Sequence, residues 1–266
     1  MNHKHRYELK FTVSADVKRA LLGLAGEGLL PDSHGHEGLY RVSSQYFDTP
    51  DLKAYWEKLD GVGYRQKFRL RFYGDEPKAD AIFFEIKHRW DQTVYKERVP
   101  LQLEALSSLL EQPNQILQLA ELVETLTSAE ERTLKKIVSV AAKTGLTGVN
   151  MISYLREAWV GKYDESLRVT FDHLCAAFSP GDASAPLGDQ GTPILDPSSM
   201  LLEVKFNDRL PVWLRDCLGQ VAVQPIRFSK YAEGLRARWD LDLRRKVNRG
   251  SGLLVSGFRS FPREKT

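Results

Sequence analysis

The stretch Tyr64-Arg65-Gln66-Lys67-Phe68-Arg69-Leu70-Arg71-Phe72 constrains the fold more than any other part of this sequence. Side chains alternate faces along a strand, so Arg65, Lys67, Arg69 and Arg71 share one face, and Phe68, Leu70 and Phe72 share the other. Such a strand carries either a solvated basic face or a basic face turned into a polar interior.

Other segments repeat the pattern and decide between the two. Arg6, Glu8 and Lys10 fall on one face, backed by Leu9 and Phe11. Glu85 and Lys87 oppose Phe84 and Ile86, and Lys96 and Arg98 share a face. Arg168, Thr170 and Asp172 oppose Val169 and Phe171, while Glu203 and Lys205 oppose Leu202, Val204 and Phe206. If these strands form one closed sheet, helices cover the apolar faces from outside and the charged faces line a tunnel. Two like charges ~6 Å apart at an effective dielectric of ~20 repel by about 3 kcal/mol. A lumen built this way is hydrated, partly neutralised by its own glutamates, and suited to a cluster of phosphates. Glutamates among so many cations help a phosphate only with a metal between them. That makes Glu8, Glu85 and Glu203 candidate ligands for Mg²⁺ or Mn²⁺.

The remaining sequence fits this plan. Strands are expected near His5–Thr12, Tyr40–Asp48, Tyr64–Tyr73, Ala81–His88, Thr93–Pro100, Met151–Trp159, Leu167–Asp172 and Met200–Phe206. Helices are expected from Ser14 to Leu30, within Leu101–Lys143 with Pro113 as a break, over Leu210–Gln220 and over Ser229–Trp239. Ser179–Ser199 reads as a loop. The fold class is mainly β with helices (α+β): a single antiparallel eight-stranded β-barrel tunnel flanked by helices. Eight strands close well into a barrel, and 266 residues suit one such domain. Residues 1–243 are expected to form it, with 244–266 as a basic, disordered tail.

The formal charge is only +3, from 38 Lys and Arg against 35 Asp and Glu, so the information lies in where the charges sit. Cys175 and Cys217 are far apart without CxxC spacing, and no apolar run approaches the ~20 residues of a membrane helix. A cytoplasmic protein with no intrinsic membrane segment is expected. His3, His5, His34 and His36 have HxH spacing at an edge and in a loop and read as solvent-exposed. His88 and His173 lack nearby Cys or His. Asp48 and Asp51 read as shaping the turn before Leu52, and Tyr46 and Trp56 as packing.

Taken together, the blocks resemble the VTC (vacuolar transporter chaperone) domain, the polyphosphate polymerase branch of the triphosphate tunnel metalloenzymes. They are Arg6-Tyr-Glu-Leu-Lys10-Phe, Tyr46-Phe-Asp-Thr-Pro-Asp51, Glu57-Lys-Leu-Asp-Gly61 and Arg65 to Gly74. Phe84-Glu-Ile-Lys87, Tyr154-Leu-Arg156, Leu167 to Asp172, Glu203-Val-Lys205 and Phe228-Ser-Lys-Tyr231 continue them in family order. The resemblance implies a metal-dependent tunnel enzyme acting on ATP or inorganic polyphosphate. It implies phosphate binding by Lys10, Arg69, Arg71, Lys87, Lys96, Arg156, Arg168 and Lys230, with Glu203 as principal metal ligand. The shared-face argument adds Arg98 and Lys205. Arg69, Arg71, Lys230 and Glu203 are the expected catalytic set. Arg6 stands where other branches carry the first acid of an ExExK motif, which favours the polymerase branch and weakens the case for Glu8. The family's eukaryotic members carry an SPX domain and membrane spans, and neither is found in this sequence.

Polyphosphate synthesis from ATP needs no serine, cysteine or strong base, because the attacking phosphate is already ionised. No P-loop or nucleophile elbow is present. A short-chain polyphosphatase that passes the phosphoryl group to water is the alternative within the fold. A non-enzymatic polyphosphate- or nucleotide-binding module is the alternative outside it. RNA is not an expected partner, since Phe68 and Phe72 lie opposite the basic face and cannot stack bases there.

Overall fold

The basic segment forms strand β4 (Tyr64–Tyr73), buried on both faces from Phe68 to Phe72. The computed structural model describes residues 6–74, 81–91, 93–112, 115–123, 125–182 and 191–248, with side chains as far as 239. His3, His5, Pro113, residues 183–190 of the Ser179–Ser199 loop and the tail beyond 248 lie outside the described residues.

The first half of the chain holds β1 (Arg6–Ser14), α1 (Ala15–Ala25), β2 (Leu29–Pro31), β3 (Leu39–Asp48) and α2 (Lys53–Leu59). After β4 come β5 (Ile82–Trp90), β6 (Thr93–Pro100), α3 (Leu103–Glu111) and α4 (Ser128–Thr144). The second half holds β7 (Thr147–Gly161), β8 (Arg168–Phe178), β9 (Thr192–Pro193), β10 (Ser199–Asn207), α5 (Val212–Gln220) and α6 (Lys230–Asn248). Local chemistry sets several boundaries. Ser14 Oγ accepts from Val17 N to start α1. Thr127 and Glu130 form a reciprocal capping box on α4, which Gly145 ends in the left-handed region at φ 66°. The expected helix to Leu30 stops at Ala25, because Gly26 at φ 50° turns the chain toward β2.

All strand pairs are antiparallel, and the main path runs β1-β10-β8-β7-β3-β4-β5-β6, with β2 on β7 and β9 on β8. The path does not close, which corrects the expected barrel. Its two end strands, β1 and β6, approach each other, so the sheet must curl, yet no ladder joins them. A ladder needs strands ~4.8 Å apart. The seam is instead spanned by side chains, with Lys87 Nζ of β5 lying 3.2 Å from Glu8 Oε2 of β1. The structure is an open ten-stranded curled sheet around a lumen, with no helix among its described residues long and apolar enough to cross a membrane.

Two apolar layers cover the convex face. Phe68, Leu70, Phe84 and Ile86 pack under Leu106 and Leu109 of α3 and Ile137 of α4. Val169, Phe171, Leu202 and Val204 pack under Leu21 of α1 and Leu214 and Leu218 of α5. α6 corrects the expectation that every helix lies outside. Val42 pairs with Tyr154, and Tyr46 pairs with both Asn150 and Arg69, so these residues share the concave face. Tyr231, Ala232 and Leu235 of α6 pack on them. The reason is local composition: Val42, Ile152 and Ala177 make this end of the lumen wall apolar, so it takes an apolar cover. Asp48 anchors the arrangement. Its carboxylate accepts from the backbone of Ala54 (3.0 Å) and Tyr55 (3.1 Å) at the start of α2, and from the Tyr231 hydroxyl of α6.

A Cβ on Gly234 would stand 2.4 Å from Ile152 Cδ1 and 2.7 Å from Asn150 Nδ2, both buried and confined. Gly234→Ala gains about 1 kcal/mol of helix propensity but overpacks the interface by about 1–3 kcal/mol. Urea titration should show a net loss of stability; equal or greater stability would mean that α6 is not seated this closely.

Candidate active site

The period-two pattern of the strands, now curled, points their charged faces into a cavity of about 2190 Å³. Lys10, Arg69, Arg71, Lys87, Lys96, Arg98, Arg156, Arg168, Lys205 and Lys230 all line it, as do Glu8 and Glu203. Register explains why so many charges tolerate each other at the β1–β10 wall: Glu8 lies opposite Lys205, and Lys10 opposite Glu203. Opposite charges across a strand pair are favourable neighbours.

Glu203 of β10 is the hub. Its oxygens lie 3.1 Å from Lys10, 2.7 Å from Lys205, 2.9 Å from Lys230 and 3.5 Å from Arg156. Asp172 of β8 backs it, receiving a forked pair from Arg156 at 2.7 and 2.8 Å and Lys230 Nζ at 2.5 Å. Glu8 takes Lys87 at 3.2 Å and Lys205 at 3.6 Å. Across the lumen, Arg69 Nε and Nη2 meet one Glu85 oxygen at 2.8 and 2.5 Å, and Lys96 meets the other at 3.2 Å. Arg71 is aimed by neutral groups, Ser44 Oγ at 3.0 Å and the Tyr154 hydroxyl at 3.2 Å.

Burial alone would raise the pKa of each carboxyl, but the cations overcome it. Lys10, Lys205, Lys230 and Arg156 hold Glu203 well below the usual range, and Arg156 and Lys230 lower Asp172. Lys10 and Lys87 do the same for Glu8, and Arg69 and Arg71 for Glu85. In return, and again against burial, Asp172 and Glu203 push Lys230 well above its ordinary value. Burial wins at Lys205, whose ammonium drops to about 8 despite Glu203 and Glu8.

Several expected residues are placed differently. Arg168 lines the cavity, but its guanidinium reaches Asp32 in the loop before β3 and the Tyr40 hydroxyl (2.9 Å) at the start of β3. Arg98 lies over the Phe83 ring at 4.5 Å, at the exposed rim. Glu85 does not join Glu8 and Glu203. It is fully buried, held by Arg69 and Lys96, and is not among the residues that line the cavity. Among the described residues no cluster of three or more Asp, Glu, His or Cys could hold a metal ion. Glu203 and Glu8 nonetheless share Lys10 and Lys205, which brings two hard oxygen donors together. Mg²⁺ and Mn²⁺ are commonly held by one or two carboxylates plus substrate phosphates. The donor set therefore fits a cation completed by phosphate oxygens and does not form an all-protein cage.

The sequence reading passed over Asp172, although its two-residue spacing from Thr170 and Arg168 had put it on the lumen face. Tyr154 was likewise legible, two residues before Arg156. His88 sits apart on the convex face, stacked on Tyr95 with centroids 4.2 Å apart and its Nε2 2.7 Å from Glu97.

A VTC domain family model matches residues 5–238. No curated protein matches the chain in sequence. Among solved structures, a candidate adenylyl cyclase from Hippeastrum, described as having a dominant triphosphatase activity, is similar with a TM-score of 0.51 and 17% identity. That alignment covers 86% of this chain and 94% of the other. A candidate adenylate cyclase from Vibrio parahaemolyticus aligns at 12% identity and TM-score 0.47, over 88% of this chain and 99% of that one. The likeness to the Hippeastrum protein concerns the fold alone.

Glu203→Gln removes a buried anion shared by four cations, of which Arg156 and Lys230 are themselves buried, and should cost about 3–5 kcal/mol, read as a lowered Tm. Tripolyphosphate should recover much of the loss by binding only the folded state; a variant as stable as the wild type would remove Glu203 from the centre of the network. The depressed carboxyls also set the acid limit. Their stabilisation is complete above the ordinary carboxyl range near pH ~4.5 and drains as pH falls through their lower folded values. Thermal melts should therefore fall steeply below that point, and less steeply in Glu203→Gln.

Proposed function

The chain is a member of the VTC domain family, and we propose that it moves the terminal phosphoryl group of ATP onto the end of an inorganic polyphosphate chain. The observation that carries this reading is the surplus of buried, pre-aimed cations in one lumen. Arg69, Arg71, Arg156 and Lys230 are all less than a tenth exposed, and the carboxylates beside them are too few to neutralise the wall. A triphosphate supplies the missing negative charge in the geometry that forked guanidiniums favour.

In this mechanism a terminal phosphate oxygen, already ionised, attacks the γ-phosphorus in line. The bond from the γ-phosphorus to the β,γ-bridging oxygen breaks, ADP leaves, and the chain grows by one phosphate. Arg69, Arg71 and Lys230 hold the transferring group and offset the charge that spreads over its oxygens. Lys10, Lys87, Arg156 and Lys205 hold the flanking phosphates, with Lys96, Arg98 and Arg168 toward the rims. Mg²⁺ or Mn²⁺ held by Glu203 and Glu8 together with phosphate oxygens would withdraw further charge from the phosphoryl group. We assign the activity to residues 1–243 as one domain with 244–266 as an appended tail, whose first residues to Asn248 continue α6, working in the cytoplasm, where ATP is available and free thiols such as Cys175 and Cys217 persist.

The same cations serve a water nucleophile, and the Hippeastrum protein of related fold is described as a triphosphatase. Hydrolysis is therefore the rival outcome. Incubating the protein with ATP and Mn²⁺ and resolving the products decides between them. Long polyphosphate with ADP is expected. Orthophosphate alone would make the protein a hydrolase, and bound but unconverted triphosphate would make it a binding module.

A further inference from the structure

One lysine of the lumen differs from the others. Cross-strand register sets Lys67 of β4, Lys87 of β5 and Lys96 of β6 in one row on the same face, like charge opposite like charge. Such rows are unfavourable unless something neutralises them. Glu8 reaches Lys87 from β1, and Glu85 reaches Lys96 from the neighbouring row. Among the described residues no carboxylate reaches Lys67. Its ammonium donates to Ser229 Oγ at 2.9 Å and lies 4.9 Å from the centre of the Tyr231 ring. A hydroxyl and an aromatic face orient a cation but cancel none of its charge.

We propose that Lys67 binds a phosphate group of the oligophosphate substrate, so that the substrate supplies the anion that the protein withholds from this position. The inference rests on the triphosphate reading of the lumen and adds a residue to it. The sequence pattern had put Lys67 on the lumen face without giving it a role.

The electrostatics agree. Burial, then Lys87, Lys10, Arg65 of its own strand and Lys58 of α2, hold the Lys67 ammonium well below the ordinary lysine range. The charged groups that act on it most strongly, Lys87 of β5, Lys10 of β1, Arg65 of β4 and Lys58 of α2, are all cations. Glu8 of β1 and Glu85 of β5 face the same lumen but are engaged by Lys87 and Lys10 and by Arg69 and Lys96. α6 and the residue before it offer the Tyr231 ring and the Ser229 hydroxyl. An anion arriving there favours the charged amine, so binding draws in a proton, and this share of the affinity falls as pH rises through the value of the free protein.

Two variants of the full chain test the proposal with sodium tripolyphosphate as probe. Isothermal titration runs across roughly pH 6 to 10, in buffers of different ionisation enthalpy. Lys67→Gln should weaken binding about tenfold or more near neutral pH. Lys67→Arg keeps a permanent charge, and should bind as well as wild type while taking up measurably less proton. That difference is specific to Lys67, because the titration of the probe and of Lys205 is common to both proteins. Wild-type affinity and proton uptake in both variants, each with a wild-type melting profile, overturn the role of Lys67. If Lys67→Gln does not fold, Lys67→Arg alone decides through its proton uptake. Failure of the wild type to bind tripolyphosphate overturns the triphosphate reading itself.

Discussion

A single carboxylate holds the lumen together. Glu203 meets Lys10 from β1, Arg156 from β7, Lys205 from its own strand and Lys230 from α6. Four elements that are distant in sequence are thus tied at one buried point, and Asp172 repeats the tie for two of the same cations. Removing ions from water costs several kcal/mol each, which only close pairing offsets. The fold tolerates this cost because the pairs are close.

The same pairs are what a polyanion must contend with. Lys10, Lys87 and Lys205 are held by Glu8 and Glu203, so an entering phosphate exchanges one partner for another and does not simply fill an empty position. Arg71 is different: Ser44 and Tyr154 aim it without neutralising it. The lumen thus combines cations that are ready for an anion with cations that must be released to it. Ordering of this kind suits a site that binds several phosphates in succession along one wall.

Much of this was legible in the sequence, and the gaps have physical causes. The period of two along Tyr64–Phe72 and its counterparts placed Lys10, Arg69, Arg71, Lys87, Lys96, Arg98, Arg168 and Lys205 on the lumen face, because side chains alternate along a regular strand, whereas Arg156 and Lys230 came from the family resemblance. The seam was not legible, since the pattern of one strand says nothing about which two edges stay unpaired. The seat of α6 was hidden for a similar reason: Tyr231, Ala232 and Leu235 mark an apolar helix face but not the side of the sheet it covers. Past Asp172 the alternation itself breaks. The register between β7 and β8 shifts at Ser153/Leu155, and Leu174 adopts φ 48°. Cys175 and Ala177 then take their places in the apolar layer under α6. The burial of Glu85 under Arg69 and Lys96 depends on which strands pair beside it, which no local spacing encodes.

The open seam leaves β1 and β6 with backbone groups that a neighbouring molecule could pair with, the ordinary route by which exposed strands nucleate aggregates. Both strands carry alternating charge along their length: Arg6, Glu8 and Lys10 on one, Lys96, Glu97 and Arg98 on the other. Adding a foreign strand there would force it against long ionic side chains and cost it their hydration. The charges that make the lumen basic therefore also weigh against strand addition at these two edges, so a change to Lys10 or Lys96 alters the edge as well as the lumen.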